Sequence, residues 1–133
     1  MTDSIQPINC GAAPPPGGHY SQAIVHGNYV YLSGQLPVQL DGSLGIDLDF
    51  ESQVRLVMRN ADAVLESAGS GLNSIVNFTA YIVGVENWPE FNRVYADIMG
   101  DWRPARTVVP VPELHYGLAV EINAIAVKIA KHD

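Results

Sequence analysis

The clearest periodicity in the chain follows Asp49, where Val54, Val57, Met58, Ala61, Leu65 and Ala68 recur at the spacing of one helical face until Gly69 stops the run. Asp49 offers a side-chain oxygen to the first turn, whose amides have no partners inside the helix, and is the expected N-cap. Phe91, Val94, Tyr95 and Ile98 repeat the pattern and predict a second helix over residues 87–99, with Pro89 in a first turn that needs no amide donor there. The remaining apolar runs are short and rich in β-branched and aromatic residues. Residues 21–26 and 29–35, split by Gly27-Asn28, read as a hairpin, and residues 75–83 as a strand. Residues 106–111 form a strand interrupted by Pro110, which belongs at an edge or a bulge, and residues 118–129 form a long alternating strand.

This order, β-β-α-β-α-β-β, predicts an α+β fold in which both helices lie on one face of a single mixed sheet. On the last strand Leu118, Val120, Ile122, Ala124 and Ala126 point toward the helices, while Ala119, Glu121, Asn123, Ile125 and Val127 point away. That second face is too apolar for water yet carries a carboxylate. It predicts a homo-oligomer with Glu121 near a subunit junction; cover by the N-terminal segment is the alternative. Residues 1–19 contain Pro14-Pro15-Pro16-Gly17-Gly18, which supports neither helix nor ladder, so they are expected to form a flexible tail before one domain over residues 20–133.

Composition narrows the function. The 133 residues are 47% hydrophobic and 16% charged, enough apolar material for one core and too much for a disordered chain. No apolar run approaches a membrane span and no secretory pattern opens the chain, which predicts a cytoplasmic protein. Cys10 has no second cysteine to pair with and is given no role. Seven basic residues, Arg55, Arg59, Arg93, Arg103, Arg106, Lys128 and Lys131, face 14 acidic ones and form no run, so nucleic acid is an unfavoured partner.

Candidate chemistry is sparse. His19, His26, His115 and His132 have no metal-ligand spacing; Gly69-Ser70-Gly71 follows a helix where a phosphate loop precedes one; Ser33-Gly34 lacks the elbow of a hydrolase. Trp88, Trp102 and Tyr20 read first as packing residues, Tyr20 with a polar handle. Two features remain: Pro104-Ala105-Arg106-Thr107-Val108 at the start of one apolar strand and Val120-Glu121-Ile122-Asn123 in the next. A guanidinium among Ala105, Val108 and Val109 demands an anionic partner. Either Arg106 and Glu121 form a buried salt bridge, or Arg106 is free for a ligand carboxylate and Glu121 for a water.

Tyr20-Ser21-Gln22-Ala23, Tyr31-Leu32-Ser33-Gly34-Gln35-Leu36-Pro37-Val38, Phe91-Asn92-Arg93-Val94-Tyr95, Pro104-Ala105-Arg106 and Val120-Glu121-Ile122-Asn123-Ala124-Ile125-Ala126 resemble, in order, the Rid/YjgF/UK114 family. The resemblance implies a chorismate-mutase-like fold, a homotrimer with clefts between subunits, and cofactor-independent hydrolysis of enamines or imines of 2-oxo acids. It also implies roles: Arg106 binds the substrate carboxylate, Glu121 activates water with its charged form favoured by a nearby Arg106, and Tyr20, Ser33, Gly34 and Asn92 shape the pocket. The sequence departs from the family's deaminating branch at Val108, commonly a cysteine, at Asn123, commonly glutamate, and at His115, often proline. Val108 leaves its backbone carbonyl to contact the water and makes the pocket more apolar. It also favours the alternative of a trimeric binder of small carboxylates without catalysis; an endoribonuclease or translation inhibitor needs a basic surface that the charge balance does not predict.

Overall fold

The computed structural model describes residues 4–129 of the chain. Lys131 and His132 lie outside the described residues, as do the first three residues of the expected tail. Six strands and two helices occur among the described residues: β1 (Ile5–Ile8), β2 (Ala23–His26), β3 (Tyr29–Gln35), α1 (Phe50–Ser67), β4 (Ile75–Val83), α2 (Trp88–Met99), β5 (Ala105–Val111) and β6 (Val120–Val127). They form one mixed sheet in the order β1-β2-β3-β6-β4-β5, antiparallel throughout except for the parallel pair β4 and β5. A parallel pair needs a crossover, and α2 supplies it.

The α1 cap is as the sequence predicts: Asp49 Oδ1 accepts from the Ser52 amide at 2.8 Å. The helix ends where Gly69 takes a positive φ of 81°, a conformation cheap only without a Cβ. The α2 start differs, because Asn87 makes no cap bond and instead donates Nδ2 to the Val83 carbonyl at 2.9 Å. Helix α1 packs on β3 and β6 with α2 beside it. Between helices and sheet, Val54, Val57, Met58, Val64, Leu65, Phe78, Ile82, Phe91 and Ile122 are fully buried or nearly so. Each such side chain contributes about 1.5–3 kcal/mol through apolar burial. Phe78 is fully buried here with its ring centroid 4.9 Å from that of Tyr95, and Phe78→Ala costs about 3–5 kcal/mol.

Both edge strands carry a proline, Pro7 in β1 and Pro110 in β5. An edge is where a missing amide donor breaks no ladder, and Pro110 meets the edge position expected of it.

The N-terminal segment corrects the expected tail. Ile5–Ile8 pairs antiparallel with β2 and adds a strand to the sheet, and Cys10 and Ala13 are buried in the main core. Buried Gln22 holds the segment: its Oε1 accepts from the Cys10 amide at 2.5 Å, and its Nε2 donates to the carbonyls of Cys10 and Pro14 at 3.2 and 2.9 Å. The segment packs on the helix side, where Cys10 Sγ donates to the Ala63 carbonyl at 3.5 Å. Beyond Cys10 its Pro14–Gly18 stretch reaches the edge of the other face beside Glu121 but leaves the rest of that face uncovered. Tyr29 and Tyr31 on that face are 47% and 43% exposed, and Asn123 Oδ1 is buried without a hydrogen-bond partner among the described residues.

Candidate active site

Strand register decides which side of the sheet each candidate occupies. Arg106 is the register partner of Phe78 and Val108 that of Ala80, both buried beneath the helices, so Arg106 and Val108 face the helices. Glu121 is the partner of Tyr81 and Asn123 that of Thr79, on the open face. Arg106 and Glu121 therefore project from opposite faces, and a salt bridge between them within one chain is excluded.

On the helix side, Arg106 Nη1 donates to Asn92 Oδ1 at 2.9 Å, and its guanidinium carbon sits 4.9 Å from the centroid of the Tyr95 ring. Phe91 stacks on the same ring with centroids 5.6 Å apart. Helix α2 thus fixes the plane of the guanidinium through one acceptor and one aromatic surface. No carboxylate reaches Arg106 among the described residues; the ion pairs there belong to Arg55 and Arg93. Most of its five donors remain for a partner outside the chain. Burial raises the Tyr95 phenol above its usual pKa, partly offset by the Arg106 charge, so the ring stays neutral.

On the other side, β3 and β6 slip register between Leu32 and Gln35, so that Ser33 and Gly34 together oppose one residue of β6. The bulge brings Gly34 against Glu121: a Cβ on Gly34 would collide with Glu121 Oε2. Ser33 Oγ donates to the Ser21 carbonyl at 2.5 Å. Glu121 opens into a cleft of about 760 Å³, walled by Pro14 to Gly18, Tyr20, Ser33, Gly34, Leu36, His115 and Tyr116. Tyr20 braces the proline wall by accepting from the Gly17 amide at 3.2 Å. Burial raises the Glu121 carboxyl above its usual range, and the nearby His115 partly opposes this. The expected help from Arg106 is absent, because the guanidinium is on the other face.

Of the expected site residues, the structure gathers Tyr20, Ser33, Gly34 and Glu121 around one cleft, and Arg106, Asn92 and Val108 on the opposite side. The proline wall, Gln22 and Tyr95 were not foreseen. Gln22 alone signalled its part, as a long polar side chain where an apolar strand begins.

Two helices over one face of a six-stranded mixed sheet, with a guanidinium that no carboxylate reaches among the described residues on one side and a carboxylate cleft on the other, define a small α+β protein whose candidate site is divided. The family model described as Endoribonuclease L-PSP matches residues 10–128, and the chain belongs to that family, the Rid/YjgF family. It is 39% identical to a RutC family protein of Pyrococcus horikoshii over 87% of this chain and 92% of the relative. The crystal structure of RidA from the Antarctic bacterium Psychrobacter superposes with a TM-score of 0.87 at 35% identity, covering 92% of this chain and 98% of that one. That of E. coli TdcF with bound serine gives 0.86 at 30% identity, covering 93% and 99%. Among the described residues no helix is long and apolar enough to cross a membrane.

Proposed function

We propose that the protein is a cofactor-independent enamine/imine deaminase, converting reactive 2-enamine or 2-imino acids to 2-oxo acids and ammonia in clefts between the subunits of a homotrimer. The observation that carries this reading is the guanidinium of Arg106, oriented by Asn92 and Tyr95 and without an anionic partner among the described residues. Its fork suits a 2-imino acid carboxylate in two-point contact. Glu121 supplies the other requirement, a carboxylate beside a cleft large enough for substrate and water. The two half-sites lie on opposite faces of one sheet, so a working site joins Arg106 of one copy to Glu121 of another. The uncovered part of the open face, with Tyr29, Tyr31 and Asn123 Oδ1, which has no partner among the described residues, is the surface for that association.

The chemistry asks little of the protein. A protonated imine is already electrophilic, so holding its carboxylate and presenting a water removes most of the entropic barrier. Glu121 in its ionised form takes a proton from the attacking water; Tyr20, Ser33 and Gly34 shape the space around it, and the Val108 carbonyl, two residues from Arg106 in the edge strand β5, is a further acceptor for the water. TdcF holding serine supports a ligand of amino-acid size and chemistry.

The test uses a threonine dehydratase that releases 2-aminocrotonate, with 2-oxobutanoate formation followed against trapping by semicarbazide. Acceleration over the spontaneous rate is expected. Absence of acceleration removes the deaminase reading for that substrate. Binding of 2-oxobutanoate without turnover would instead establish a carboxylate binder, the reading that Val108 favours.

A further inference from the structure

An enamine must gain a proton on carbon before water can attack it, and Arg106 and Glu121 do not provide one: the first stays charged and the second is needed as a base. The cleft contains an imidazole besides. Its titratable side chains are Tyr20, His115, Tyr116 and Glu121, and His115 supplies the only imidazole among the described residues that line it.

The backbone around His115 is unusual. Tyr116 has φ 63° and ψ 16°, the sole non-glycine residue with positive φ among those described, and Gly117 follows with φ 73°. The Leu118 amide closes the reversal on the His115 carbonyl at 3.1 Å, giving the signs of a type I′ turn with a tyrosine where asparagine or glycine is favoured. The turn is anchored on its far side, where the Ala119 amide donates to buried Gln53 of α1 at 2.9 Å, and the chain then enters β6 and reaches Glu121. A costly backbone state is thus kept in the wall of the cleft, in a segment fixed to a helix. The His115 ring makes no hydrogen bond among the described residues, and its proximity to Glu121 opposes the effect of burial on that carboxyl.

We propose that His115 protonates C3 of a bound 2-enamine acid, so that this imidazole generates the iminium and Glu121 then hydrates it. The step rests on the deaminase reading above and adds a group to it. The imidazolium proton forms the new C3–H bond as the nitrogen lone pair closes C2=N. Glu121 accepts a proton from the water that attacks C2 and passes it to the nitrogen. The C–N bond breaks to release ammonia, and the oxygen returns its proton to His115. Both side chains end as they began.

The experiment compares the full-length wild type with His115→Asn, which keeps a polar side chain of related shape that does not titrate. Two substrates are used: 2-aminocrotonate, which needs protonation on carbon, and an imino acid released by an amino acid oxidase, which needs only hydration. The variant is expected to lose about tenfold more on the enamine than on the imine, and to lose the limb of the enamine pH profile that falls as imidazolium is consumed. Equal losses on both substrates, or an unaltered pH profile, overturn the proposal. A carbon-13 titration of Glu121 provides a readout separate from turnover: without the neighbouring positive charge its carboxyl should titrate higher, and an unmoved titration also overturns the proposal. A wild type inert on both substrates overturns the deaminase reading itself, and this step with it.

Discussion

Arg106 and Glu121 are fifteen positions apart in sequence and point to opposite sides of the same sheet, one toward α2 and the other into the Gly34 bulge. Complementation in mixed oligomers follows from that relationship. Arg106→Ala and Glu121→Gln, each inactive alone, should regain activity when unfolded together, mixed and refolded. Random assembly leaves about a quarter of the junctions with both native residues. Recovery of 2-oxobutanoate formation to near that fraction is the measurement; no recovery would place both groups in one subunit's site.

Replacing Arg106 by lysine should not preserve binding. Lysine keeps the charge but lacks the planar fork that Asn92 and Tyr95 hold in place. Loss of a desolvated charge partner costs about 2–5 kcal/mol, or roughly thirtyfold or more in kcat/KM. Steady-state kinetics on 2-aminocrotonate for Arg106→Lys and Arg106→Ala should show both variants beyond that threshold.

Gly34→Ala tests the bulge. The added methyl meets the Glu121 carboxylate rather than backbone, and Gly34 does not have a positive φ, so the fold survives and the carboxylate must move. Activity should fall about a hundredfold, as misplacement of a reacting group by about an ångström does, while circular dichroism stays that of the wild type.

The pH dependence has a definite sign. Burial raises the Glu121 carboxyl above its usual value, so the folded state binds its proton more tightly than the unfolded state does. Between the unfolded value of 4.5 and the raised folded value, the contribution of Glu121 to stability declines as pH increases. Glu121→Gln should therefore raise Tm at neutral pH, with the advantage shrinking as pH falls through that window. Wild-type activity should rise through the same window as the base ionises, its midpoint above that of an ordinary glutamate. Paired Tm and rate profiles check both statements.

Tyr116 offers a stability test independent of catalysis. A left-handed conformation costs a residue with a Cβ about 1–2 kcal/mol, and its side chain is 57% exposed, so little packing is lost on replacement. Tyr116→Gly should stabilise the fold by about 1 kcal/mol in urea denaturation. A destabilised variant would show that the ring packs against something the exposed geometry does not suggest.

The legible features were those encoded locally. Asp49 and Gly69 bounded α1, Pro110 marked an edge, and the alternation along β6 separated Ile122 and Ala124 from Glu121 and Asn123. What depended on pairing between distant strands was not legible. The four residues of β1 include a proline and show no alternation of their own; β2 and Gln22 recruit them. The face of Arg106 was hidden because β5 is apolar on both sides, and only its register with Phe78 resolves the ambiguity. The Ser33–Gly34 bulge arises from one extra residue in β3 against β6, which no single segment reveals.

The prolines at the two ends of the sheet bear on how copies of this chain meet. Strand ends with free ladders invite further strands and growth into filaments, and Pro7 and Pro110 each interrupt the row of donors that such growth requires. With both margins blunted, the proposed trimer has the broad surface bearing Tyr29, Tyr31 and Asn123 rather than a strand edge to assemble through, and a closed ring is the outcome to expect of it.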